Sequence, residues 1–187
     1  MFMFNYCPDC ASNKISFKEE RIFVCPDCGF TYYHNTAAAT ACIIQTNKGI
    51  LFLVRKRDPG RGKLDLPGGF IDPGEGALEG LRRELMEELG FDPLENKDSP
   101  HKFEFFASFP NKYPYKNIMY NTCDLFFYLN APDLSEKDIK LEASEATALC
   151  FIRPEEIDME AIAFESVKKG VQYYLNGLTQ TAFFDNG

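Results

Sequence analysis

Residues 69–91 read GFIDPGEGALEGLRRELMEELGF, and this stretch changes character at Ala77. The part before Ala77 continues a segment rich in glycine and proline that begins at Pro59, and this composition excludes a regular helix. After Ala77, apolar residues recur every three or four positions, as on one face of a helix. These residues are Leu78, Leu81, Leu85 and Leu89. Because Gly90 stands where a carboxy-terminal cap belongs, the stretch predicts a loop followed by an amphipathic helix.

Three glutamates share one face of this predicted helix. Glu84, Glu87 and Glu88 are related by three and four positions, so their carboxylates are neighbours. Like charges this close repel one another unless a cation lies among them, and oxygen ligands suit Mg²⁺ or Mn²⁺. Since magnesium often completes its coordination shell with phosphate oxygens, the face indicates a diphosphate site. The alternative is an ordinary solvated acidic surface paired with Arg82 and Arg83.

The spacing of specific residues across this stretch matches a longer pattern. The pattern is Gly, five residues, Glu, seven residues, Arg-Glu, an apolar residue, any residue, Glu-Glu, any residue, Gly and an apolar residue. The matching positions are Gly69, Glu75, Arg83, Glu84, Leu85, Glu87, Glu88, Gly90 and Phe91. They resemble the signature of the Nudix hydrolases at every defined position. The resemblance implies an α/β fold, an α/β/α sandwich with a mixed sheet, and a Mg²⁺-dependent pyrophosphohydrolase that acts on a nucleoside diphosphate linked to another group.

The resemblance also implies a role for each matching residue. The expected metal ligands are Glu84, Glu88, Glu87 and the backbone carbonyl of Gly69. Glu75 is expected to orient the loop, and Arg83 to hold a glutamate through a charge-assisted hydrogen bond. The general base differs among family members, so two regions are candidates. One is Glu87, and the other is Glu142 with Glu145 in a stretch similar to the acidic loop of many relatives, where we favour Glu145.

Four of the seven cysteines form two identical Cys-Pro-Asp-Cys tetrapeptides. They are Cys7, Cys10, Cys25 and Cys28, with fourteen residues between the two pairs. Two such turns direct four thiolates at one cation, which predicts a structural zinc ribbon with a short hairpin within Lys14 to Val24. The alternatives are a redox dithiol pair or disulfides. We predict a zinc ribbon over residues 1–34 and a catalytic domain over residues 35–187, an arrangement similar to the NADH pyrophosphatase branch of the family.

Substrate selection is expected from residues outside the glutamate helix. The predicted substrate contacts are Arg55, Phe109, Tyr113 and Tyr115. The three aromatic residues lie among prolines in a predicted loop, where they offer rings for a stacked base in a chain without tryptophan. Residues 108–114 partly resemble the Ser-Gln-Pro-Trp-Pro-Phe-Pro array of NADH pyrophosphatases. They lack its Gln, its Trp and its middle Pro, which leaves ADP-ribose as an open alternative.

Periodicity predicts the remaining elements. The predicted strands are Thr40 to Gln45, Ile50 to Arg57, Lys102 to Ser108 and Tyr120 to Asn130. A helix is predicted from Asp158 to Leu175, with apolar residues spaced to cover the sheet.

Composition narrows the class of protein. The 187 residues include 20 Lys and Arg against 28 Asp and Glu, and the net charge of −8 argues against long nucleic acid as a partner. No uncharged apolar run approaches the roughly 20 residues of a membrane-spanning helix, and the amino terminus lacks a secretory pattern. We therefore expect a cytoplasmic protein with a small nucleotide substrate and no membrane contact. Homodimers are common among the relatives implied by the resemblance.

These observations together predict an enzyme with two metals, catalytic Mg²⁺ (or Mn²⁺) and structural Zn²⁺. The predicted reaction is cleavage of the diphosphate in an NADH-like dinucleotide or a nucleotide sugar, with release of AMP. The alternative function is a non-catalytic Nudix module that senses a nucleotide while its ribbon binds RNA or protein. The intact glutamate cluster and the net charge of −8 argue against that alternative.

Overall fold

The computed structural model describes residues 4–19, 21–94, 102–116 and 118–184. Within these ranges the strands are β1 (Ser16–Lys18), β2 (Ile22–Val24), β3 (Thr31–Tyr33), β4 (Ala37–Thr46), β5 (Gly49–Arg55), β6 (Leu64–Asp65), β7 (Phe103–Tyr115), β8 (Ile118–Asn130) and β9 (Ala146–Ile152). The α-helices are α1 (Ala77–Leu89) and α2 (Glu165–Phe184). No helix in the described part of the chain is long and apolar enough to cross a membrane.

The main sheet has six strands and is mixed. Its order is β6-β5-β4-β8-β7, and β9 pairs with β5. β4 and β8 run parallel, whereas the other pairs are antiparallel.

Alternate residues of the central strands supply two separate cores, because successive side chains of a strand point to opposite faces. On one face, Ile44 and Leu129 pack with Leu81, Leu85 and Leu89 of α1. The other face carries a second cluster, and its buried members are Ala41, Ile43, Ile50, Phe52, Leu66, Phe126, Ile162, Val167 and Val171. The sheet therefore lies between α1 and α2, which confirms the predicted α/β/α sandwich.

Helix α1 begins at the predicted residue and ends at the predicted cap. It starts at Ala77, and Gly90 adopts the left-handed conformation with φ 60° while its N–H donates to the carbonyls of Leu85 and Met86. This geometry explains the glycine, since a side chain is disfavoured there. The loop and helix of residues 69–91 thus have the local structure that their sequence predicts.

Two predicted elements differ from the structure. The segment from Phe109 to Tyr115 is not a loop, because it continues β7 and pairs with β8 as far as Tyr115 opposite Ile118. Its prolines are compatible with a strand because β7 is at the edge of the sheet. The last helix does not begin at Asp158. Residues 159–161 form a 3₁₀ turn, Ile162 bridges to Leu64, and α2 starts at Glu165.

The cysteine module consists of β1, β2 and β3 in one antiparallel sheet. The predicted hairpin is present as the β1–β2 pair, in which Phe17 lies opposite Phe23. Phe23 is buried against the rings of Phe4 and Phe17. β3 ends at Tyr33 and β4 begins at Ala37, while the boundary between residues 34 and 35 stays a prediction.

Candidate active site

The loop before α1 is held against β4 by its backbone. The N–H groups of Cys42 and Thr40 donate to the carbonyls of Pro67 and Gly69, each at 2.8 Å. Gly68 has φ 137°, and a Cβ atom there would lie 2.2 Å from the Thr40 carbonyl oxygen. Only glycine fits this contact, so the sequence Gly68-Gly69 lets the loop pass directly beside the strand.

The glutamates of α1 reach this loop from the helix. The N–H of Gly68 donates to Oε2 of Glu88 at 2.9 Å. Gly69 leaves room for Glu84, because a Cβ on Gly69 would lie 2.6 Å from the Glu84 carboxyl carbon. Glu87 is different, since 59% of its side chain is exposed against 17% for Glu84. The structure therefore brings Glu84, Glu88 and the Gly69 backbone together, with Glu87 at the solvent edge.

Burial makes the inner two carboxylates unusually basic. Burial raises the pKa of Glu88 well above its ordinary value, and the nearby Asp65, Glu84 and Glu145 raise it further. Burial also raises the pKa of Glu84, although hydrogen bonding to Arg83 opposes the shift. A carboxylate that is costly to ionise in the protein alone is stabilised by a bound cation, so these groups suit a metal.

Arg83 connects the helix to the loop. Its Nε and Nη2 donate to the two oxygens of Glu75 at 2.8 and 3.0 Å, and Nη2 also donates to the Phe70 carbonyl. Its Nη1 donates to Glu84 at 2.8 Å and to Glu87 at 3.4 Å. The hydrogen bonds from Arg83 lower the pKa of Glu75, which also accepts from a backbone N–H of the loop. One guanidinium thus restrains three of the predicted site glutamates.

These groups open into a cleft of about 750 Å³ that runs from α1 across β4 to the start of α2. Among the described residues that line it, Arg55 is the one cation. The carboxylates that line it are Asp65, Asp72, Glu84, Glu87, Glu88, Asp124, Glu142 and Glu145. Because an anionic substrate would be repelled by this wall, the cleft requires additional positive charge before it can hold a diphosphate.

The predicted acidic loop before β9 reaches the same cleft. The N–H of Glu142 donates to the Glu88 carbonyl at 2.8 Å, which attaches the loop to the end of α1. Glu145 pairs with Arg57 at 3.1 Å, and half of its side chain is exposed. Tertiary contacts therefore place both candidate bases, Glu87 and Glu145, on the wall of one cleft.

The predicted substrate contacts divide into two groups. Arg55 and Tyr113 line the cleft, and the Arg55 guanidinium is held by Asp65 at 2.6 Å. Phe109 instead packs on the rings of Phe126 and Tyr173, outside this cleft. Tyr115 is also outside the cleft and lies at the exposed end of β7.

Several polar cleft residues were not predicted, among them Asp65, Thr122 and Asp124. Asp124 could have been identified from the sequence, because it is an acidic residue within the apolar strand pattern that continues to Leu129. Burial raises the pKa of Asp65 to about 6 although Arg55 opposes the shift, and only the fold brings Asp65 close to Asp124.

The four paired cysteines converge as the spacing predicts. Their Sγ atoms all lie within 4.8 Å of one another, and they form the one group of three or more such ligand atoms among the described residues. The Cys7–Cys28 and Cys10–Cys25 sulfur atoms are each 3.6 Å apart. A tetrahedral Zn²⁺ with Zn–S bonds of about 2.3 Å has sulfur atoms roughly 3.8 Å apart, so the cluster fits zinc. None of the four thiols forms a disulfide.

Comparison with known proteins defines the family. Residues 34–171 match the NUDIX domain. The match covers most of the chain and includes the loop, the helix and the cleft described above. This chain belongs to the NUDIX family.

The similar curated proteins share only part of their length with this chain. The ADP-ribose pyrophosphatase of Methanocaldococcus jannaschii is 39% identical over 64 residues, which are 34% of this chain and 38% of that protein. The NAD-capped RNA hydrolase NudC of Stutzerimonas stutzeri is 29% identical over 87 residues, which are 46% of this chain and 31% of that protein. The chain thus spans well under half of each of these relatives.

Solved structures agree on the fold. A NUDIX hydrolase from Nitrosomonas europaea superposes with a TM-score of 0.64 at 23% identity, and the superposition covers 92% of this chain and 91% of that protein's chain. The NUDIX domain of Shewanella oneidensis NrtR, solved with ADP ribose, gives a TM-score of 0.58 at 14% identity. This superposition covers 76% of this chain and 88% of the NrtR chain.

Proposed function

We propose that this protein is a Mg²⁺-dependent pyrophosphohydrolase that cleaves the diphosphate of an ADP-linked dinucleotide or nucleotide sugar and releases AMP. The observation that carries the proposal is the pair of partly buried carboxylates, Glu84 and Glu88, held against the backbone of Gly68 and Gly69 at the base of an acidic cleft. On an ordinary solvated surface, two glutamates would not be held against a loop in this way.

Glu84, Glu88 and the Gly69 carbonyl are the groups that would hold magnesium. The Gly69 carbonyl accepts from the Thr40 N–H at 2.8 Å and from the Thr40 hydroxyl at 3.5 Å, and the longer of these contacts is the one that a cation would displace. When bound, the metal neutralises the diphosphate and lowers the pKa of a coordinated water. A cleft lined by eight carboxylates and one arginine needs this positive charge before it can hold a diphosphate.

The other residues of the site orient groups and move a proton. Glu145 lines the same cleft as Glu88, and we assign it as the general base, with Glu87 as the alternative. Arg83 positions Glu84 and Glu87 through the hydrogen bonds that its Nη1 donates to both carboxylates. Arg55 is held rigid by Asp65 and by the Pro59 carbonyl, so it offers a fixed cation to a substrate phosphate.

The names of two relatives support an ADP-linked substrate. One acts on ADP-ribose and the other on NAD-capped RNA, by their names, and both contain an adenosine diphosphate. An NADH-like dinucleotide is our first choice and ADP-ribose the alternative.

In the cysteine module we propose a structural Zn²⁺ bound by Cys7, Cys10, Cys25 and Cys28. Four thiolates close the coordination shell and leave no position for a substrate, so this metal stabilises the module and takes no part in hydrolysis. Residues 1–34 are then a zinc ribbon, and residues 35–187 form the catalytic domain.

The test is turnover of a substrate panel with and without Mg²⁺, with products identified by mass. The panel contains NADH, NAD⁺, ADP-ribose, diadenosine polyphosphates, nucleoside triphosphates and NAD-capped RNA. We expect Mg²⁺-dependent release of AMP from NADH or ADP-ribose. Binding of these compounds without any turnover would contradict the proposal and favour the nucleotide-sensing module.

A further inference from the structure

The end of the cleft near α2 contains polar groups that hydrolysis of a diphosphate does not use. Thr122 and Asp124 lie two residues apart on β8, so both side chains point to the same face of the sheet. Both residues line the cleft and both are buried, with 3% and 8% of their surface exposed. Their function therefore lies outside the proposed metal site.

Asp124 is a buried carboxylate with few partners. Among the described residues, its carboxylate has one hydrogen-bond partner, the Ser166 hydroxyl, which donates to Oδ2 at 2.6 Å. Ser166 lies in the first turn of α2, so this hydrogen bond connects β8 to the start of that helix. The second carboxylate oxygen is left to accept a hydrogen bond from a ligand.

Thr122 has an unsatisfied group at the same place. Its hydroxyl oxygen is buried and has no hydrogen-bond partner among the described residues. Native structures rarely leave such a group unpaired, so its position in the wall of a cleft indicates a polar ligand atom.

The surroundings of these two groups suit a flat ring. Asp124 lies opposite Ala39 on β4, and the neighbouring Ala41 also lines the cleft, so the sheet surface beside the carboxylate is made of small residues. Tyr113 and Phe164 line the same cleft with ring centroids 5.5 Å apart. Arg55 lies 4.7 Å from the Phe164 ring centroid and connects this end of the cleft to the phosphate-binding end.

The geometry points to a nucleobase subsite in which Asp124 accepts a hydrogen bond from an exocyclic amino group and Thr122 bonds a neighbouring ring nitrogen. The inference rests on the proposed function, and it makes the base an amino-bearing one such as adenine. A carboxylate only accepts hydrogen bonds, so it rejects a base that presents a carbonyl at that position.

The experiment measures the affinities for AMP and IMP by isothermal titration calorimetry. In IMP a carbonyl replaces the amino group of AMP. We expect wild type to prefer AMP by about tenfold or more, since a site built for a donor discriminates against an analogue that lacks it. Asp124→Asn is expected to lose or invert this preference, because an amide can donate to the carbonyl of IMP. Asp133→Asn, the same change at an exposed site outside the cleft, is expected to keep the wild-type preference.

Further ligands and one further variant test the base subsite. Equal affinity of wild type for AMP and IMP would overturn it, and this comparison needs no variant that might misfold. A loss of affinity for 2′-deoxy-AMP with no discrimination against IMP would also overturn it, because Asp124 would then bind a ribose hydroxyl. Thr122→Val is expected to raise the melting temperature while weakening AMP binding, and unchanged AMP binding would contradict the role of the hydroxyl.

These titrations need no turnover, so they separate the two proposals. Discrimination between AMP and IMP without any hydrolysis would contradict the enzymatic function and leave the base subsite standing. Hydrolysis with no base preference would support the enzymatic function and contradict the base subsite.

Discussion

The cysteine module and the NUDIX domain differ in what stabilises their backbones. Each strand of the module is three residues long, and its buried side chains are Phe23, Cys7 and Cys25. The domain has long strands and two apolar clusters with twelve and nine buried members. A segment as small as the module cannot bury enough apolar surface to fold alone, whereas the domain can. The two metals are therefore expected to act differently, since zinc would stabilise its module and magnesium would serve a domain that is already folded.

The largest effect should come from removing one of the proposed zinc ligands. We expect Cys25→Ser to abolish zinc binding and unfold the module, because zinc supplies about 10 to 16 kcal/mol of apparent folding free energy in small zinc domains. Native mass spectrometry would measure the zinc, and hydrogen exchange would report on β1 to β3. Cys123→Ser, which changes a cysteine outside the cluster, should keep the metal. A module that stays protected without zinc would contradict this comparison.

Glu88→Gln should separate activity from stability in the domain. We expect turnover to fall on the order of 10³-fold, since the amide would no longer bind the cation that activates water. Thermal unfolding without Mg²⁺ should be unchanged or shifted upward, because the substitution removes a partly buried acidic group close to Asp65, Glu84 and Glu145. The exposed Glu136→Gln is the matched control. Full turnover by Glu88→Gln would refute the site assignment.

Two adjacent glycines should respond differently to alanine. At Gly68 the new Cβ would meet the Thr40 backbone at 2.2 Å with φ at 137°, so we expect a loss of stability of about 2 to 4 kcal/mol. At Gly69 the Cβ would meet the Glu84 carboxylate, a side chain rather than backbone, so we expect a loss of turnover of roughly tenfold with less destabilisation. Denaturant unfolding and steady-state kinetics would measure both variants. Equal losses of stability would show that Gly69 also has a backbone role.

The smallest effect concerns the pH dependence contributed by Glu75. Hydrogen bonds from Arg83 lower its pKa in the folded state below the ordinary value of 4.5. As the pH falls below 4.5, the unfolded chain therefore binds more protons at this group, and its stabilising contribution is lost. Wild type should be more stable than Glu75→Gln at neutral pH, and the difference in melting temperature should narrow in acid. A difference that is constant with pH would mean that the charge of Glu75 is unimportant.

Local patterns predicted some parts of the molecule and misled at others. The bounds of α1 follow from leucine spacing and a glycine cap, which act over one or two helical turns. β7 was predicted too short because Pro110 and Pro114 resemble loop residues, and only its place at the sheet edge accommodates them. The start of α2 was misplaced because residues 159–163 pair with the region of Leu64, a contact between distant segments.

The family, the glutamates of α1 and the group of four cysteines could be predicted from the sequence, because these signals depend on spacing within a short segment. Which other groups share the cleft depends on the tertiary structure. It placed Glu142 and Glu145 beside Glu88, kept Arg55 and Tyr113 in the cleft, and left Phe109 and Tyr115 outside. It also brought Asp65, Thr122 and Asp124 to one surface, because strand pairing and helix packing join residues that no local spacing relates.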